Sequence, residues 1–130
     1  MEIEVGDFVR TKNGLLGRVN KIELKGNGIR YAGEFITDTI IQFNDGKVYE
    51  RRVKNKDIVK HSKNIIDLIE LYDYVNGMIV FDIITYDNGE KAIKIPSGYL
   101  ISENEIQNIL THEQYMQNCY KCQDIENGTI

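Results

Sequence analysis

The chain has no tryptophan, one proline (Pro96), two histidines (His61, His112), two cysteines (Cys119, Cys122) and two alanines (Ala32, Ala92) in 130 residues. A single proline excludes low-complexity linker character. Two cysteines supply only half of a four-ligand structural zinc site. Long apolar runs are missing too. Met78-Ile79-Val80-Phe81 is among the longest, far short of the roughly 20 residues that cross a bilayer. The start, Met1-Glu2-Ile3-Glu4, has neither a basic n-region nor an apolar h-region, so the expectation is a cytoplasmic chain with reduced thiols and no membrane partner.

Catalytic signatures are equally scarce. There is no phosphate loop, no G-x-G-x-x-G and no G-x-S-x-G. His112-Glu113-Gln114-Tyr115-Met116 opens like H-E-x-x-H, but Met116 stands where the second ligand belongs. Two histidines with no paired base offer no nucleophilic constellation. The expectation is a protein that is not an enzyme, with no cofactor and no metal.

What is present is ordinary globular material. Hydrophobic residues make up 42% and glycine adds 11 residues, enough for one domain or two small packed lobes. Isoleucine occurs 20 times and lysine outnumbers arginine 11 to 5, a bias toward AT-rich codons. The net charge of -4 hides an asymmetry. Residues 1–63 hold 13 Lys and Arg against 9 Asp and Glu, whereas residues 64–130 hold 3 against 11. A basic half and an acidic half either touch each other or touch different partners.

The halves also share a pattern. Ile3-Glu4-Val5-Gly6-Asp7-Phe8-Val9 matches Ile69-Glu70-Leu71-Tyr72-Asp73-Tyr74-Val75, and Asn-Gly pairs follow at 13–14 and 76–77. Later, the stretch 41–48 resembles 85–92. The simplest reading is a tandem repeat of about 1–60 and 65–101, giving a basic lobe (1–63) and an acidic lobe (64–130). Asn-Gly recurs at 27–28, 88–89 and 127–128, with Asp45-Gly46 as a sixth turn. Asn-Gly between β-rich runs predicts type I′ hairpins, including Thr39–Phe43 with Lys47–Arg51 and Val80–Tyr86 with Lys91–Ile95. The polar, Gly-rich stretch 26–33 predicts a loop. At the tail, Ser102 with Glu105 and Thr111 with Gln114 form capping patterns bracketed by apolar residues, predicting short helices at 103–110 and 112–121. The fold class expected is mainly β: two related, small, barrel-like meanders followed by two helices.

Three constellations are candidates for function. The first is basic: Arg51, Arg52, Lys54, Lys56 and Lys60, with Tyr31, Phe43 and Tyr49 as stacking surfaces. In one extended strand Arg52, Lys54 and Lys56 share a face, a spacing suited to successive phosphates or carboxylates. The alternative is an edge strand whose lysines prevent aggregation. The second is acidic: Asp67, Glu70, Asp73, Asp82, Asp87 and Glu90, able to occupy a basic channel as a polyanion does. The third is His112, Tyr115, Cys119 and Cys122 on one helical face, read first as packing, with metal binding or redox chemistry as alternatives.

Gly6-Asp7-Phe8-Val9, Gly14, Gly17-Arg18-Val19 and Ile22 resemble the KOW motif of small Src-homology-3-like barrels. That resemblance implies binding to RNA or to ribosomal and transcription partners. Lys60–Glu70, followed by Asp73-Tyr74-Val75-Asn76-Gly77 and later by Ile106–Gln114, resembles a block in small phage- and prophage-associated proteins of clostridial and related low-GC Gram-positive bacteria. It implies a mobile-element accessory protein. The expected function is therefore inhibition of a host defence system, by blocking a nuclease effector in the anti-CRISPR manner or by sequestering a nucleotide signal. The alternative is a KOW-like module acting on RNA, DNA or the transcription and translation machinery. The partner is a host defence protein or a nucleic acid or nucleotide; a homodimer or higher homo-oligomer stays open.

Overall fold

The computed structural model describes residues 2–31, 34–46, 49–120 and 122, with the side chains of 25–31 and 34–38 outside that description. The chain is mainly β, as its turn signals between β-rich runs predict. Five strands form one antiparallel sheet: β1 (Phe8–Thr11), β2 (Leu16–Tyr31), β3 (Glu34–Asn44), β4 (Glu50–Lys54) and β5 (Ile58–Ser62). Their order is β4-β3-β2-β1-β5, so β5 returns to pair with the first strand. The second half builds two three-stranded sheets. One is β10 (Leu100–Ser102), β9 (Lys91–Lys94) and β8 (Asp82–Thr85); the other is β11 (Ile109–Leu110), β6 (Tyr74–Val75) and β7 (Met78–Ile79). Helix α1 (His112–Asn118) follows.

Each half has its own core. Val9, Val19, Ile41 and Phe43 close the first, with Leu15, Ile22, Val53 and Ile58 packed against them. Ile66, Ile69, Val75, Val80, Ile93, Ile95 and Ile101 close the second. A 3₁₀ turn, Ile65–Leu68, contacts β1, β5 and β9 and so joins the two.

The matching sequence stretches make the same turn. Asp7 N bonds Glu4 O at 3.0 Å and Asp73 N bonds Glu70 O at 3.2 Å. Each aspartate side chain then accepts from the backbone N–H three residues back, Glu4 at 3.0 Å and Glu70 at 2.8 Å. The third turn residue donates to the facing strand (Gly6 to Val19 O, Tyr72 to Val80 O), and Val19 and Val80 donate back to Asp7 O and Asp73 O. Two residues oppose one, a β-bulge of the kind that places its first residue at positive φ. Gly6 meets that requirement at φ 94° without strain; Tyr72 meets it at 73° with a side chain attached.

The Asn-Gly turns divide into two types. At Asn76-Gly77 both residues have positive φ and Val75 faces Met78, the two-residue type I′ hairpin expected. At 13–14 and 88–89 only the glycine does. There a type I turn (Gly14 N to Thr11 O, Gly89 N to Tyr86 O) leads into a left-handed glycine.

Four local expectations are corrected. Of the stretch 26–33, residues 26–31 belong to β2 and not to a loop, with the register irregular between Gly26 and Arg30, while 32 and 33 lie outside the described residues. The β3–β4 connection is five residues long, since Asn44 faces Glu50 and Asn44 Oδ1 takes the Gly46 N–H at 2.9 Å, turning the chain early. The capping box at Ser102 and Glu105 forms, yet it caps only the 3₁₀ turn Glu103–Glu105, because Ile109 and Leu110 are drawn off to pair with β6. Among the described residues one α-helix rather than two therefore follows the sheets, and α1 stops at Asn118. The pair Asn127-Gly128 lies outside the described residues.

Candidate functional site

The most concentrated chemistry sits where the two halves meet. Arg10 and Asp73 have fully buried side chains. Asp73 lies in the turn of the second half and Arg10 on β1 of the first. Arg10 Nη1 donates to Asp73 Oδ2 at 2.5 Å and to Leu68 O at 2.9 Å; Nη2 donates to Asp73 Oδ1 at 3.0 Å and to Glu113 Oε1 at 2.6 Å. Asp73 also accepts the His112 backbone N–H at 2.9 Å and faces His112 Nδ1 at 3.0 Å. His112 Nε2 lies 3.2 Å from Glu113 Oε2. Glu70 completes the group, with Arg10 at 3.6 Å and Lys60 at 3.1 Å. Burial alone would raise the Asp73 carboxyl, but the Arg10 guanidinium and the Glu70 and His112 N–H groups hold it below the usual carboxylate range. Burial would lower the Arg10 pKa, and the same carboxylates hold it above its ordinary value.

Helix α1 reaches this seam because of one turn. Thr111 caps it, accepting from Gln114 N at 3.3 Å, and donates its own hydroxyl to Gly14 O at 2.7 Å. Gln114 Nε2 bonds Asn13 O at 2.7 Å. Gly14, at φ 83°, is the closest approach, where any Cβ would collide with Thr111 and Glu113.

The first half carries a parallel pair. Asp7 Oδ2 lies 3.0 Å from His61 Nδ1, and Asp7 Oδ1 lies 2.6 Å from Lys63 Nζ. Burial would raise the Asp7 carboxyl, yet hydrogen bonds from Lys63, the Glu4 N–H and His61 bring it down to about 2. Both histidines of the chain thus bond the aspartate of a matching turn.

The basic candidates are dispersed. Strand β4 ends at Lys54 and Lys56 falls in the 3₁₀ turn Asn55–Asp57, so Arg52, Lys54 and Lys56 do not continue one extended row. Arg51 pairs with Asp45 at 3.0 Å, Arg52 with Glu23 at 2.8 Å and Lys60 with Glu70 at 3.1 Å. Phe43 is buried in the first core and has no face to offer a base. Tyr49 is exposed, with the Arg51 guanidinium 5.9 Å from its ring centre. The Tyr31 side chain lies outside the described residues.

The acidic candidates divide. Asp73 is buried at the seam and is not a surface group. Glu70 is half-buried against Lys60 and Arg10. Asp67 bonds Ser62 at 2.5 Å and Lys91 at 2.9 Å. Asp82, Asp87 and Glu90 are exposed on and beside the β8–β9 hairpin and form no ion pair among the described residues. Asp67, Glu90 and Glu103 line an open groove of about 480 Å³ in which Lys91 is the basic group.

Cys119 caps the end of α1, half-buried, and Cys122 is exposed beyond it, both as free thiols. A packed helical face ending on Cys122 is therefore not formed. Sequence reasoning missed Arg10, Glu113 and the role of both histidines. Only the recurring Ile-Glu-x-x-Asp pattern pointed at Asp7 and Asp73. No protein family, curated protein or solved structure matches the chain.

Proposed function

We propose that this chain is a non-enzymatic accessory protein of a mobile element that inhibits a host defence effector by laying the acidic face of its second lobe over a basic nucleic-acid channel. One observation carries the reading: the two halves use charge differently. Arg51, Arg52 and Lys60 each face a carboxylate of their own chain. Exposed pairs of this kind contribute only about 0–1 kcal/mol each, but they cancel the local field an incoming phosphate would meet. Asp82, Asp87 and Glu90 have no such counterion among the described residues and project from a folded scaffold, as electrostatic docking on a cationic surface requires. The mobile-element origin rests on the resemblance of the 60–77 block and on the AT-rich composition.

The test is displacement. A purified nuclease effector holding labelled guide or target nucleic acid is titrated with the protein. Release or blocked cleavage is expected, with loss of the effect in the Asp82→Asn, Asp87→Asn, Glu90→Gln variant. Equal inhibition by that variant would remove the acidic face from the mechanism. Salt-sensitive binding of RNA or DNA by the protein itself would replace the reading with a nucleic-acid module.

A further inference from the structure

We propose that Glu70, His112 and Glu113 form a binding site for a divalent transition-metal ion of the zinc class at the seam between the two halves. One ligand atom from each lies within 4.8 Å of the others, on three partly exposed side chains that an ion can reach from solvent.

The arrangement of His112 points to the ion. Its Nδ1 lies 3.0 Å from Asp73 Oδ1. Asp73 is held ionised by Arg10 and can only accept, so Nδ1 carries the proton and donates. Arg10 Nη2 also approaches Nδ1, but at 3.4 Å it is the weaker contact. Nε2 is then the ring nitrogen left to face a ligand, and Glu113 Oε2 stands 3.2 Å from it. A divalent ion placed beside this pair can take one ligand atom from each. Atoms each about 2.0–2.1 Å from zinc stand roughly 3.3 Å apart in a tetrahedron, which is the separation seen. A histidine whose far nitrogen donates to a carboxylate is the usual orientation for a metal ligand. Imidazole with carboxylate oxygens suits zinc and its first-row neighbours better than calcium or magnesium.

Charge points the same way. Three carboxylates, Asp73, Glu70 and Glu113, meet two cations, Arg10 and Lys60, here. Arg10 takes Glu113 Oε1 at 2.6 Å and so turns Oε2 toward His112. Lys60 holds Glu70 Oε2 at 3.1 Å, and Glu70 Oε1 stands 3.6 Å from Arg10 Nη2. An ion at this place ties the first turn of α1 to the Glu70–Asp73 turn.

The test uses the full chain carrying Cys119→Ser and Cys122→Ser, since that thiol pair would capture zinc independently. Titration with zinc near neutral pH should show one ion per chain in calorimetry. The melting temperature should rise with zinc concentration, as it must for a ligand bound only by the folded state. His112→Gln should abolish both responses, and Glu70→Gln should weaken binding by about tenfold or more. Because these side chains also contact Arg10 or Asp73, each variant is compared with itself with and without zinc. A cysteine-free chain whose melting ignores zinc overturns the assignment, as does a zinc response that survives His112→Gln.

Discussion

Cutting Asp73 back to alanine isolates what the seam contributes. The carboxylate accepts two bonds from Arg10, one from each of the Glu70 and His112 backbone N–H groups, and one from the His112 ring. Its removal takes the bidentate partner from a guanidinium that has no exposed surface and leaves it Leu68 O, Glu113 and the more distant Glu70. Breaking a buried pair from one side costs about 3–5 kcal/mol. A chain of this length is stable by about 6–20 kcal/mol, so the loss is a large fraction of the total. It corresponds to a fall in melting temperature of roughly 10–25 °C. The informative comparison is a cycle with Arg10→Met and Asp73→Leu, followed by urea unfolding. The double variant should be less destabilised than either single one, because neither charge is then left without its partner. Additive losses, or an Asp73→Ala protein within about 1 kcal/mol of wild type, would refute the reasoning.

Tyr72→Gly should stabilise the protein by about 0.5–1 kcal/mol, because a left-handed tyrosine costs more than glycine's extra freedom in the unfolded chain; urea midpoints check the sign. Gly14→Ala should cost more than about 2 kcal/mol, since φ 83° and the contact with Thr111 both reject a methyl group, and α1 signals should weaken in amide exchange. Asp7 titrates at about 2 when folded against about 3.9 unfolded. Its contribution is present above pH 4 and disappears as pH falls from about 4 toward 2, so Asp7→Asn should flatten acid unfolding in that window. Neutralising Asp82, Asp87 and Glu90 should leave the melting temperature within a few degrees, because exposed unpaired charges contribute little to stability.

Strand content, hairpin positions and the recurrence of the Ile-Glu-x-x-Asp stretch were readable because each rests on local sequence, whereas the turn that stretch makes came from the structure. Asn76-Gly77 prefers positive φ wherever it lies, and an Ile-Glu-x-x-Asp stretch can close its own turn. The first tail helix, expected over 103–110, was misread for the opposite reason: Ser102 and Glu105 cap a helix start, but pairing of Ile109 and Leu110 with β6 outweighed propensity. The seam was invisible. Arg10, Asp73 and Glu113 are separated by 63 and 103 positions, and an arginine in a strand looks solvent-facing until a partner from another element covers it. Asp73 and Phe43 were placed on surfaces for the same reason: composition does not report which face a side chain takes.

The two matching aspartates differ in where their cation comes from. Asp7 draws on Lys63 and His61, inside its own half. Asp73 draws on Arg10, which belongs to the other half. For the two turns the dependence runs one way, although Arg10 in its turn takes its acceptors from the second half. The first half can satisfy its turn from within, whereas the second folds around a charge it does not encode. Such a chain cannot be shuffled into modules: an exchange at the midpoint would carry away the acid and leave its counterion behind. Change at position 10 and at position 73 is likewise bound together, so that neither residue can drift without the other.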